Sequence, residues 1–196
     1  MAGNHKFSPE HADRLLSADR LQATDFEALF REIGVRPRMT VADLGCGNGF
    51  FTLPLAEKVG PHGTVYAVDV SPEMLDKLRD RGVPDNVQIL LSGEEAVPLE
   101  TDSVDLAVAS NMLHEVGNRP GYLLEIRRIL RESGRLWVLD WLPLDEPQGP
   151  PKHHRLAPEV LEQDLRQAGF DVLWRKNMPP SHYHILAQKR VVRCGC

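Results

Sequence analysis

Residues 40–52 read TVADLGCGNGFFT. A short apolar run, broken only by Asp43, passes directly into Gly45-Cys46-Gly47-Asn48-Gly49. A run of that length reads as a buried strand. The following FFTLPLAEKV reads as a helix, with Pro54 tolerated because it stands near the first turn. A glycine-rich turn between a first strand and a first helix lets a ligand approach the backbone closely. In a doubly wound sheet that turn lies outside the carboxyl ends of the strands, where ligands bind.

The chemistry of the turn narrows the ligand. A dinucleotide site carries G-x-G-x-x-G, whereas this chain has G-x-G-x-G with Phe50 in the place of the third glycine. Asp43 would face a pyrophosphate and suits a positively charged ligand instead. The second apolar run, TVYAVDV, contains Asp69, twenty residues after Gly49. An acid there accepts hydrogen bonds from ribose hydroxyls. The pattern therefore asks for a nucleoside with a cationic substituent and no diphosphate. S-adenosylmethionine, with a sulfonium and an ammonium group, meets that description.

Outward from this stretch, the chain alternates. TDFEALFREIG places Phe26, Leu29, Phe30 and Ile33 on one helical face, with Thr24 and Glu27 as a capping box and Gly34 as the stop. A weaker helix is expected over residues 9–20. SPEMLDKLRDRG is a helix capped by Ser71, with Pro72 at its first position and Gly82 at its end. NVQILL and SVDLAVAS read as strands, NRPGYLLEIRRILRESG as a helix and RLWVLDW as a fifth strand. Strands separated by helices of this length imply parallel pairing with right-handed crossovers. After the Pro-rich LPLDEPQGPP and the helix PEVLEQDLRQAG, the strands FDVLWRK and SHYHILAQK are joined by NMPP. So short a connection makes that pair antiparallel.

Bulk properties set the outer bounds. The chain has 196 residues, 42% hydrophobic and 26% charged, with a formal net charge of −5. This is a globular composition, and the acidic balance gives no broad attraction to nucleic acid. The polar start MAGNHKFSPEHADRLL has no signal-peptide core, and no apolar run approaches the ~20 residues of a membrane span. A soluble cytoplasmic protein with no membrane association is the expectation. Three cysteines, Cys46, Cys194 and Cys196, do not make a disulfide framework.

DLGCGNGFFTLPLAEKVGPHGTVYAVDVSPEML, VPLETDSVDLAVASNMLHEV and LLEIRRILRESGRLWVLDW occur in that order. They resemble the core of class I S-adenosylmethionine-dependent methyltransferases, over roughly residues 35–190. The resemblance implies an α/β, Rossmann-like doubly wound sheet of seven strands with the last strand antiparallel. Residues 1–34 would be an N-terminal helical cap or lid, Phe7 and Arg20 among them, and residues 191–196 a flexible tail. It also implies roles. Asp43, Gly45, Cys46, Gly47 and Gly49 would hold the methionine part of the cofactor, Cys46 as a small filler. Asp69 would bind the ribose, and Val70 and Met74 would pack on the adenine. Gly93 stands where the family commonly has an acid, so Glu94 or Glu95 would contact the adenine amino group. Asn111 would line the pocket near the methyl group.

Acceptor chemistry is expected at the carboxyl ends of strands four and five. His114 can move a proton near neutral pH or be a hydrogen-bonded wall residue. Asp140 can orient His114 or a substrate, and Trp141 can floor a substrate pocket. The pair His153 and His154 follows in the loop where substrate specificity is often built; no metal is assigned to it. His182 and His184 alternate on a strand and so share one face, read as exposed sheet surface. The resulting expectation is methyl transfer to a small molecule. The alternatives are an arsenite-type metalloid methyltransferase using Cys194 and Cys196, or a non-catalytic cofactor-binding protein. A nicotinamide dehydrogenase is disfavoured by Phe50.

Overall fold

A computed structural model describes residues 24–191. The expected helix over 9–20, the lid residues Phe7 and Arg20, and Cys194 and Cys196 lie outside the described residues. The order of elements is α1 (Phe26–Ile33), β1 (Thr40–Leu44), α2 (Thr52–Val59), β2 (Thr64–Asp69), α3 (Pro72–Asp80), β3 (Val87–Leu91) and β4 (Val104–Ser110). A 3-10 turn (Leu113–Glu115), α4 (Arg119–Ile129) and β5 (Leu130–Trp141) follow. A second 3-10 turn (Lys152–His154), α5 (Pro158–Gln167), β6 (Phe170–Met178) and β7 (His182–Lys189) complete it.

The seven strands form one sheet in the order β3-β2-β1-β4-β5-β7-β6. β1 to β5 are mutually parallel, and β7 runs antiparallel to both β5 and β6. The order reverses between β1 and β4, which opens a crevice at their carboxyl ends. Both faces are covered, which is why the central strands are nearly continuous apolar runs. On one face α4 and α5 pack Leu123, Ile126, Ile129, Leu161 and Leu165 against Leu44, Ala107 and Val138. On the other, α1, α2 and α3 pack Phe30, Ile33, Leu55, Leu75 and Leu78 against Val41, Val65 and Trp137. Each fully buried aliphatic or aromatic side chain contributes about 1.5–3 kcal/mol.

Local signals act largely as the sequence suggests. Ser71 caps α3 by accepting from Met74 N at 3.2 Å, with Pro72 in the first turn. Gly34 ends α1 in a left-handed conformation at φ 76°. Three expectations are corrected. The cap of α1 is Asp25, whose Oδ1 accepts from Ala28 N at 2.9 Å, not Thr24. The helix expected to continue to Gly134 stops at Ile129, and Leu130 begins β5 paired with Val104. Arg131 bonds Asp105 at 2.6 Å and Ser133 takes φ 62°, so a strand irregularity replaces the last helical turn.

The third correction concerns His184, which is buried, not on an exposed sheet surface. It stands edge-on to Trp137 and near Trp174, with Trp137 Nε1 donating to its Nδ1 at 3.3 Å. Burial holds its pKa below the ordinary histidine value, with Lys176 adding to that shift against the opposing charge of Glu32. A histidine that folds neutral stabilises fully above its unfolded pKa, and this is lost as pH falls through the lower folded pKa. Melting temperature should therefore fall between about pH 8 and about pH 5 more steeply in the wild type than in His184→Asn, which cannot titrate. Differential scanning calorimetry of the pair across that range measures the difference.

Candidate active site

The turn after β1 is tied to its neighbours by backbone. Gly45 N and Cys46 N both donate to Val68 O, at 2.8 and 3.0 Å. Gly45, Gly47 and Gly49 have φ of 66°, 55° and 87°. A Cβ on Gly45 would stand 3.0 Å from Met112 Cβ, so the turns after β1 and β4 touch there. Gly45→Ala should cost about 1–2 kcal/mol in backbone conformation, a fall of roughly 3–6 °C in melting temperature, read by calorimetry. Arg81, at the C-terminal end of α3, donates from Nη1 to Asn48 O at 2.7 Å and steadies the turn.

Two acids flank the turn. Asp43 is 2% exposed, and its Oδ2 accepts from Thr52 Oγ1 at 2.6 Å. Burial pushes its pKa up to about 7, the nearby Asp69 charge adding to this and the Thr52 hydrogen bonds opposing it. Asp69 accepts from two backbone donors, Gly47 N at 2.8 Å and Ser71 N at 2.9 Å. It thus fixes the glycine turn to the start of α3. Cys46 is buried, and burial holds its thiol well above the usual range, so it is a protonated filler rather than a nucleophile.

Around this hollow, Val70 is 42% exposed, while Met74 is buried yet belongs to neither core cluster. Glu94 and Glu95 are exposed after β3, and Glu95 accepts from Asn118 Nδ2 at 3.3 Å. Asn111 follows β4 at φ 54°; its N donates to Leu139 O at 2.7 Å, and its Oδ1 is buried without a hydrogen-bond partner among the described residues.

The carboxyl ends of β4 and β5 meet in a pair. His114 Nδ1 lies 2.7 Å from Asp140 Oδ1, and the two side chains are 4% and 0% exposed. Asp140 Oδ1 also accepts from Trp141 N at 2.8 Å. Burial pulls the His114 pKa down, but the Asp140 hydrogen bond and the charges of Asp140 and Glu115 outweigh it. The net result lies above the ordinary value, with Arg155 opposing. Asp140 Oδ2 is buried without a partner among the described residues. An orphaned buried carboxylate oxygen is costly, and such atoms concentrate at working sites.

Trp141 stacks on His182 with ring centroids 3.9 Å apart and lies under the Arg155 guanidinium at 5.0 Å. His153 and His154 occupy the second 3-10 turn with ring centroids 4.2 Å apart. Among the described residues no group of three or more His, Cys, Asp or Glu could hold a metal ion. A cleft of about 480 Å³ lined by Arg36, Arg131 and Arg135 lies at the opposite end of the strands, away from the glycine turn. Among the described residues no helix is long and apolar enough to cross a membrane.

Several residues here were not singled out from sequence. Thr52 starts a helix that the sequence did reveal, but its bond to Asp43 is a tertiary contact. Arg81 and Arg155 carry no local signal, since their partners are carbonyls of turns that only the fold brings close. Tyr122 of α4, whose hydroxyl pKa is raised by burial and by the Asp69 and Glu125 charges, lies within electrostatic reach of the hollow.

A family model described as a methyltransferase domain matches residues 42–138. A ubiquinone/menaquinone biosynthesis C-methyltransferase, UbiE, from Vibrio campbellii is 36% identical over 112 residues, 55% of this chain and 43% of that protein. An uncharacterized 37.1 kDa protein in a transposon of Streptomyces fradiae is 34% identical over 146 residues, 69% of this chain and 42% of that protein. The chain thus spans less than half the length of these curated relatives. A crystal structure of a SAM-dependent methyltransferase from Aquifex aeolicus superposes with a TM-score of 0.88 at 29% identity, covering 94% of this chain and all of that one.

Proposed function

Because this chain belongs to the class I S-adenosylmethionine-dependent methyltransferases, we propose that it methylates a small molecule whose nucleophilic atom carries a proton. The observation that carries this reading is the buried His114–Asp140 pair at 2.7 Å, at the same end of the sheet as the glycine turn. S-adenosylmethionine is the cofactor of the family, and the residues present fit it. Asp43 is a buried carboxylate whose neighbouring donor is a neutral hydroxyl, so a cation beside it relieves an uncompensated charge. A carboxylate offers about four lone-pair sites; Asp69 uses two on backbone N–H groups and keeps acceptor capacity for ribose hydroxyls. Gly45, Cys46, Gly47 and Gly49 hold the amino-acid portion. Val70 and Met74 offer an apolar surface to the adenine, Glu94 or Glu95 an acceptor to its amino group, and Asn111 an orphan acceptor near the donor carbon.

When bound, the cofactor supplies an electrophilic methyl group on a sulfonium. The chain's work is orientation, which alone can supply about 7–11 kcal/mol of a barrier, and removal of the acceptor's proton. Asp140 holds the His114 ring by Nδ1, which leaves Nε2, 3.7 Å from Glu115 Oε1, as the atom that takes the proton. Trp141, His153 and His154 border the acceptor side.

The test is to incubate the purified protein with methyl-tritiated S-adenosylmethionine and a deproteinised small-molecule cell extract. The reading predicts label in the low-mass fraction. Bound cofactor with no transferred label would leave a cofactor-binding protein, and label confined to added RNA or protein would replace the small-molecule acceptor. Deletion of residues 191–196 should leave transfer unchanged; its loss would favour the metalloid reading through Cys194 and Cys196.

A further inference from the structure

The segment between β5 and α5 has little regular structure, yet one buried side chain organises it. Arg155 has a side chain 0% exposed. Its Nε donates to Pro150 O at 2.8 Å and its Nη1 to Leu142 O at 3.0 Å. Nη1 also pairs with Glu146 Oε1, and Nη2 donates to Gln148 O. The guanidinium carbon lies over the Trp141 ring, 5.0 Å from its centroid. Glu146 passes the connection on, because its Oε2 accepts from Ser181 Oγ at 2.6 Å in the turn before β7. Leu142 N donates to Ser181 O at 2.8 Å in the same place. A Cβ on Gly149 would meet the Trp141 ring at 2.8 Å, so the segment lies directly against that indole.

We propose that Arg155 is a positioning residue for the acceptor side: its guanidinium ties residues 142–150 into one wall around Trp141. This rests on reading His114 and Asp140 as the proton-handling pair. Five donors in a planar fork suit several carbonyls and a carboxylate at once, and a lysine cannot reproduce that geometry. Only the Arg155 side of its ion pair with Glu146 is buried, and desolvation of that charge offsets the attraction; a conformational role explains the pair better than net stability.

Arg155→Lys keeps the charge and loses the fork, whereas Arg155→Met loses both. Hydrogen exchange at Leu142 and Leu144, the amides of this segment that make backbone bonds among the described residues, should quicken about tenfold or more in both variants. The exchange readout needs no turnover, so a failure of methyl transfer in the labelled extract would strike the functional reading and leave the clamp standing. Should Arg155→Met not fold, Glu146→Gln serves for the exchange measurement and Arg155→Lys, compared with wild type, for the transfer assay, with weaker transfer at unchanged affinity for S-adenosylhomocysteine expected. Wild-type exchange in both Arg155→Lys and Glu146→Gln, or undiminished transfer in Arg155→Lys, would overturn the proposal.

Discussion

Asp43→Asn should weaken binding of S-adenosylmethionine by roughly 10²–10³-fold while leaving the chain folded. Asparagine keeps the shape of the side chain and an acceptor for the Thr52 hydroxyl, but removes the charge. Truncating one partner of a buried, hydrogen-bonded charge pair costs about 2–5 kcal/mol, and about 1.4 kcal/mol is a factor of ten in affinity. The pH dependence follows from burial. Asp43 titrates at about 7 in the ligand-free protein, and a cation is recognised by the ionised form. Affinity should therefore drop up to about tenfold per unit as pH falls below that value, and be nearly flat in the asparagine variant.

Stability moves the other way. A carboxyl whose folded pKa is raised above its unfolded value contributes fully below the unfolded value, 3.8, and loses that contribution as pH rises through about 7. The rise in melting temperature produced by S-adenosylhomocysteine should thus grow across the same interval. Isothermal titration and thermal shift on wild type and variant measure both slopes.

Asp140→Asn and His114→Ala should each slow methyl transfer by about 10²–10⁴-fold at saturating cofactor, the usual worth of a positioned acid or base. Affinity for S-adenosylhomocysteine should change less than about twofold, because neither residue is assigned to hold it. In the wild type the net pull of Asp140 and Glu115 raises the His114 pKa, so the rate should climb as pH rises through that pKa and then level. Asp140→Asn removes the largest raising influence, so the acid limb should move to lower pH as the plateau falls. A histidine with a raised pKa contributes fully below its unfolded value, 6.5, and loses that as pH rises through the folded pKa. This is the opposite of the buried, neutral His184. Single-turnover rates over a pH series separate the two effects from cofactor binding.

The parts of this molecule that were legible in its sequence are those set by local physics. Continuous apolar strands, the Ser71-Pro72 helix start, the Gly34 stop and the G-x-G-x-G turn each act within a few residues. Together they led to the parallel sheet, the antiparallel final pair and the family. What was missed depended on distant partners. RRILRESG is a good helical sequence, and only the pairing of Leu130 with Val104 and the Arg131–Asp105 bond draw it into the sheet. The two-residue period put His182 and His184 on one face, but whether that face is dry depends on Trp137 and Trp174 from neighbouring strands. The His114–Asp140 contact joins residues 26 apart; the sequence suggested both as candidates at adjacent strand ends without fixing the bond. Arg155 had no signal at all, since four of its partners are the aromatic ring and backbone carbonyls of a segment without repeating pattern.

The hollow flanked by Asp43 and Asp69 is proposed to select a sulfonium nucleoside by charge rather than a dinucleotide by its phosphates. Calorimetric titration of the purified protein with S-adenosylhomocysteine, S-adenosylmethionine and NAD decides it. Saturable heat with the first two, abolished by Asp43→Asn, and none with NAD is the predicted result. Tight binding of NAD with no heat from either adenosyl compound would contradict it.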